Sequence, residues 1–152
     1  MAAPDDPYRP FRPRAARWVS IVVAGLVVVV LVGLSFVVPT FATVTVIWLD
    51  RLGFALVAAG GAWFLLRHAS VRADPSPEGL RVRNLVTTTT VTWPEIVSVR
   101  FGHGHPWVQL DLADGRTLAV MGIQRSDGAW AVAEARRLAT LVARHSQTSR
   151  DD

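Results

Sequence analysis

The sequence predicts a pair of membrane-crossing helices followed by a small antiparallel β domain that one C-terminal helix closes. Three observations carry this. Residues 18–38 contain no charge, and between Trp18 and Leu66 the only charges are Asp50 and Arg51. Beyond Ala69 short alternating runs are separated by turn residues at intervals of about ten, the pattern of antiparallel strands. Near Ser126 the apolar period lengthens to that of an amphipathic helix.

Composition narrows the function classes. The 152 residues carry 16 basic and 12 acidic side chains, net +4. Hydrophobic residues make up 51% and charged residues 18%, against roughly 25% charged in ordinary soluble domains, which argues against a wholly soluble protein. Without cysteine there is no disulfide scaffold, zinc ribbon or thiol nucleophile. Every basic residue is Arg and none is Lys, which removes Schiff-base and Walker-type lysine chemistry.

Residues 1–17 are rich in proline (Pro4, Pro7, Pro10, Pro13), with Arg9, Arg12, Arg14 and Arg17 against Asp5 and Asp6. Proline at this density prevents a helix and favours an extended, mobile chain, so the reading is a tail disordered until about Arg12. Residues 18–38 form the first span: as a helix they are about 31 Å long, the thickness of bilayer hydrocarbon. Trp18 sits at the interface and Pro39 ends the run.

An extracytoplasmic loop is expected at 39–45 and a second span at 46–67. Residues 52–66 alone would give a helix of only about 22 Å, so the span begins near Val46 rather than leaving 44–48 as a strand. Asp50 and Arg51 then fall in its first turns, near the headgroups, and Arg67 snorkels at the other end. The small residues at 58–62 would let the first helix approach near Gly25 or Gly33. Four Arg precede the first span and Arg67 and Arg72 follow the second, while the loop has only Arg51 beside Asp50. The positive-inside rule therefore expects a multi-pass cell-membrane protein with both termini cytoplasmic. A signal peptide cleaved after Thr40-Phe41-Ala42 is the competing reading of the first span, and its apolar run is too long for that.

The cytoplasmic domain is placed at 69–145. Strands are expected at 70–73, 80–83, 87–93, 96–101, 107–112 and 117–121, with a turn at 74–79 where Gly79 supplies positive φ. In the fourth strand Val97, Val99 and Phe101 share one face, Ser98 and Arg100 the other. Residues 113–116 make a tight hairpin. A helix capped by Ser126 or Asp127 follows, with Ala131, Ala135, Leu138 and Val142 on its apolar side. It frays near His145, and 146–152 is a polar, disordered tail.

The order of several motifs carries a resemblance. Two spans are followed by Asp74 to Val82 with Gly79-Leu80, by Trp93-Pro94-Glu95-Ile96 ahead of a Val-x-Val strand, and by the Leu112, Asp114, Gly115, Arg116 hairpin. This resembles bacterial membrane proteins with a C-terminal PH-like domain, of the low molecular weight protein antigen 6 type. The resemblance implies a small PH-like antiparallel β-barrel or sandwich capped by a C-terminal α-helix, without catalytic residues. PH domains that bind phosphoinositides use basic residues around the first hairpin loop. Here that loop, 74–79, has Asp74 and Glu78 and no base, so no ligand residues carry over.

Arg81, Arg83 and Arg100 point away from the core by alternation and, with Trp107, are the expected partner or lipid surface. Trp93-Pro94-Glu95-Ile96 reads as core filling and a chain turn rather than a contact site. His103-Gly104-His105 lacks a third ligand for a metal. Asp111 and Asp114 do not form a catalytic pair, and neither a nucleophile elbow nor a phosphate loop is present. From Arg67 onward 11 Arg face 9 acids, with no stripe suited to nucleic acid. The expectation is a non-enzymatic membrane protein without cofactor or metal, whose partners are the bilayer and another protein. An anionic-lipid sensor and an accessory subunit of a membrane enzyme are the alternatives.

Overall fold

A computed structural model describes residues 6–37, 44–102 and 104–148. The chain forms two compact units: the N-terminal segment through Ala15 together with everything from Ser70, and the stretch from Ala16 to Ala69.

The second of these units is two helices, α1 (Ala15–Val37) and α2 (Val44–Ala69). Both are long and apolar enough to cross a bilayer, over Ala15–Phe36 and Ile47–Ala69. Their large apolar residues stay uncovered: Trp18, Val29, Phe36, Leu56 and Trp63 are all exposed. The core helix of a soluble protein would bury these side chains. The alternating residues from Val44 onward are helical, not a strand. The expected loop lies mostly outside the described residues, as does the Thr40-Phe41-Ala42 cleavage signal. The helices approach at the small-residue run, beside Gly25 but not at Gly33. Ala24 and Ala58 are buried and Gly61 lies against Val27, while Gly25 and Gly33 face open space. The seam of α1 therefore runs through other residues than its glycines. Across it, Ser20 Oγ and His68 Nδ1 are 3.3 Å apart.

The other unit holds six strands in two antiparallel sheets. β1 (Arg72–Pro75), β2 (Gly79–Arg83) and β3 (Thr88–Thr92) form one; β4 (Ile96–Arg100), β5 (Trp107–Leu112) and β6 (Thr117–Gln124) form the other. Six strands in two open sheets make a sandwich rather than a closed barrel. α3 (Ala129–Thr148) packs over the join, and the core gathers Leu80, Val82, Val91, Trp93, Ile96, Val108, Leu110, Val120, Ile123 and Leu138.

Three local features depart from the sequence reading. The pairing of β4 with β5 slips between Ile96 and Ser98, so Val97 is a bulge residue and turns outward, 67% exposed, instead of joining Val99. Gly79 does not have positive φ; its role is close approach, because a Cβ there would lie 2.2 Å from the Val91 carbonyl oxygen. Gly128, at φ +57°, starts α3, and Asp127 caps elsewhere.

The largest departure is the N-terminal segment. Instead of a mobile tail, residues 6–13 form a strap built into the β domain. Phe11 is 0% exposed and sits in the core, and an antiparallel bridge ties it to Ala73: its N–H donates to Ala73 O at 2.8 Å and its carbonyl accepts from the Ala73 N–H at 3.0 Å. The prolines exclude a helix, as expected, but an extended chain with one aromatic is also what a missing edge strand requires. Gly122 makes room, since a Cβ there would meet Phe11 O and Ala73 N.

Candidate functional site

The strap is held by charge as well as packing. Glu134 on α3 is buried and accepts from Arg9 (2.7 Å) and Arg137 (2.8 Å). The Arg137 guanidinium lies 3.8 Å over the Phe11 ring and donates to the Pro7 and Arg9 carbonyls at 2.9 Å. Arg14 lies 3.5 Å over Trp130. The two Asp127 oxygens accept from the N–H groups of Arg14 and Ala15 at 2.9 and 2.8 Å, so the residue expected to cap α3 instead caps the start of α1.

The four residues expected as a contact surface divide between the sheets. Arg81 and Arg83 lie on the outer face of β2, opposite Thr90 and Thr88 of β3 and opposite Asp74 and Arg72 of β1. Arg72 pairs with Asp74 at 2.8 Å; neither Arg81 nor Arg83 has an ion-pair partner among the described residues. Arg100 is on the other sheet and is neutralised: Asp111 accepts from it at 2.6 Å and from Ser98 Oγ at 2.5 Å. Those bonds, the Ser98 hydroxyl foremost and the Arg100 guanidinium next, hold the Asp111 carboxyl below the usual carboxylate range. Trp107 opens β5, half-buried, where its pairing with β6 is interrupted. The basic patch thus reduces to Arg81 and Arg83, with Arg72 beside them.

Trp93 is 2% exposed, stacks on His145 at 5.0 Å and donates its indole N–H to the Ser76 and Pro77 carbonyls. Glu95 accepts from the Thr92 backbone N–H at 2.6 Å and from its hydroxyl at 2.8 Å, which lowers its pKa and locks the turn between the sheets. This motif is structural. His103 lies outside the described residues, and His105 Nδ1 is 3.1 Å from Gln109 Nε2.

Sequence reasoning missed the tip between β2 and β3. Asn84 there is buried; its amide donates to Ala119 O at 2.8 Å and its side-chain oxygen accepts from the Met121 N–H at 3.2 Å, tying the hairpin to β6. Val86, next to it, is 84% exposed. The available signal was two apolar residues, Leu85 and Val86, in a turn between alternating strands.

Two sheets, a capping helix and the turn at Trp93 fit one known domain. Residues 69–140 match the family described as Bacterial PH domain. The chain carries a PH-like domain. It is also similar to uncharacterized proteins of Mycobacterium bovis and Mycobacterium tuberculosis, each 35% identical over 105 residues, 69% of this chain. The match spans 65% of the length of these relatives. No solved structure matches.

Proposed function

We propose that this chain is a non-enzymatic integral membrane protein that holds its PH-like domain on the cytoplasmic side as a docking module for another protein, in the manner of the antigen 6 type it resembles. The observation that carries this reading is the strap. Residues before α1 and residues after α2 share one core, so the chain that leaves at Ala15 must return to the same side by Ser70. Two apolar helices between these points satisfy that only if both cross or neither does, and their uncovered apolar surfaces favour crossing. The Arg-rich flanks favour the cytoplasmic side.

Docking is supported by β3. Among the described residues it pairs with β2 alone, in regular register and without a bulge, and its strand residues are Thr88, Thr89, Thr90, Val91 and Thr92. An uncharged, unbulged edge is one that natural proteins usually protect, and an extended partner segment can add to it. Arg81, across from Thr90, favours acidic side chains on that segment. A photo-crosslinking residue at Thr90, in native membranes, should give a discrete adduct that Arg81→Glu removes. Adducts independent of position 81, or none at Thr90, would contradict the docking mode.

A further inference from the structure

We propose that the helix pair binds a second copy of this chain head to tail within the bilayer: the groove beside Asp50 in one copy takes the Arg51 face of the next. This rests on the reading that α1 and α2 cross the membrane.

The two-helix unit carries two opposite charges that do not meet. Asp50 and Arg51 are neighbours in sequence, and at 3.6 residues per turn their side chains diverge by about 100°. Phe54, half-buried one turn later, falls between them on the helix circumference, and Ala58 is buried in the seam with α1 one turn further on. Asp50 therefore emerges on one side of the seam and Arg51 on the other. Their surroundings agree. Asp50 lines a groove of about 370 Å³ with Leu31, Gly53, Phe54 and Val57. The Arg51 guanidinium lies over the rings of Phe36 and Trp48, 5.5 and 5.6 Å from their centroids, and none of these three residues lines the groove. Among the described residues neither Asp50 nor Arg51 has an ion-pair partner. Asp50 and Leu31 both lie about 9 Å inside the helix ends at Val44 and Val37. Ionisable side chains within a span pair with one another rather than face lipid. The long arm of Arg51 can turn toward the interface, but Asp50, with one methylene, has far less reach.

The occupant of the groove follows from charge, shape and symmetry. Copies inserted the same way place Arg51 of one beside the depth of Asp50 of another. The Arg51 face offers the cation that Asp50 lacks, and it offers the rings of Phe36 and Trp48, 72% and 63% exposed, to fill an apolar groove. Gly53 leaves room for a neighbouring helix, since a Cβ there would meet nothing within 4 Å. A two-fold pair would set Asp50 against Asp50 or Arg51 against Arg51, because the two faces lie on opposite sides of the seam. The complementary contact is heterologous and repeats from copy to copy. It would array the docking domains on one side of the membrane and raise their avidity for a partner with several extended segments.

The chain has no cysteine, so introduced thiols report only their own positions. Two differently tagged full-length copies, Ala55→Cys and Val57→Cys, are co-expressed and oxidised in native membranes. Ala55 is one turn from Arg51 on the same side, and Val57 is in the groove. The mixed 55–57 disulfide should exceed the 55–55 and 57–57 products severalfold. A chain carrying both thiols should give adducts larger than a dimer, because positions two apart on a helix do not face each other and cannot close on themselves. Asp50→Arg should abolish the mixed product, and Asp50→Arg with Arg51→Asp should restore it. Alkaline carbonate extraction of the same membranes separates the two readings. A chain released by carbonate overturns the membrane-spanning reading and this contact with it. A retained chain overturns the head-to-tail contact alone if it gives only like-position disulfides, only adducts to other proteins, no adduct, or a mixed product indifferent to Asp50→Arg.

Discussion

Phe11 shows how one side chain decides the character of a segment. In a stretch with prolines at 4, 7, 10 and 13 it is an aromatic with nowhere apolar to go except the β domain, and it is fully buried there under the Arg137 guanidinium. Phe11→Ala should cost about 3–5 kcal/mol, the usual result of emptying a core aromatic site. Denaturant unfolding of the full chain in detergent, followed by tryptophan fluorescence, measures this; a loss within the range of a surface substitution would show that the strap is not part of the core. A second residue-scale expectation concerns acid. Asp111 is held below the ordinary carboxylate pKa in the folded chain by Ser98 and then Arg100, and Glu95 by the Thr92 N–H and hydroxyl. Groups with depressed folded pKa values contribute stability above their unfolded pKa, and that contribution disappears as pH falls through the folded value. Melting temperature should therefore hold near neutrality and drop below about pH 4, with a shallower acid limb in Asp111→Asn. An unchanged acid limb would contradict the assignment.

At the scale of elements, much of the β domain was legible because its cause is local. Alternation located all six strands, and positions 107–112 were bounded as observed, since Val108, Leu110 and Leu112 face inward. The outward direction of Arg81 and Arg83 followed from the same period. What stayed illegible had a non-local cause. The Val97 bulge depends on how β4 meets β5: the extra residue turns outward while Val99 and Phe101 keep their inward side. The division of Arg81 and Arg83 from Arg100 depends on which strands pair, which periodicity does not encode. The strap required knowing that the domain leaves Ala73 without an edge partner and leaves core space beside Trp93 for a second aromatic. It follows that residues 70–152 without the strap should lose fixed aromatic packing. Near-UV circular dichroism of that fragment should be weak, and residues 6–13 added as a peptide or fused ahead of Ser70 should restore it. A fragment that melts cooperatively with full near-UV signal by itself would show the strap to be dispensable.

For the whole molecule, the core shared by the segments before α1 and after α2 sets a parity constraint: on the proposed membrane reading, 16–69 starts and finishes on one face. On the proposed reading the Arg-rich flanks choose the cytoplasmic face, and the β3 edge is left for the partner protein. The most direct test fuses a reporter after Asp152 and, separately, ahead of Met1. The account predicts fluorescence from green fluorescent protein and no activity from alkaline phosphatase at both ends. Phosphatase activity at either end would contradict it, because the strap could not then sit in the core from the cytoplasmic side.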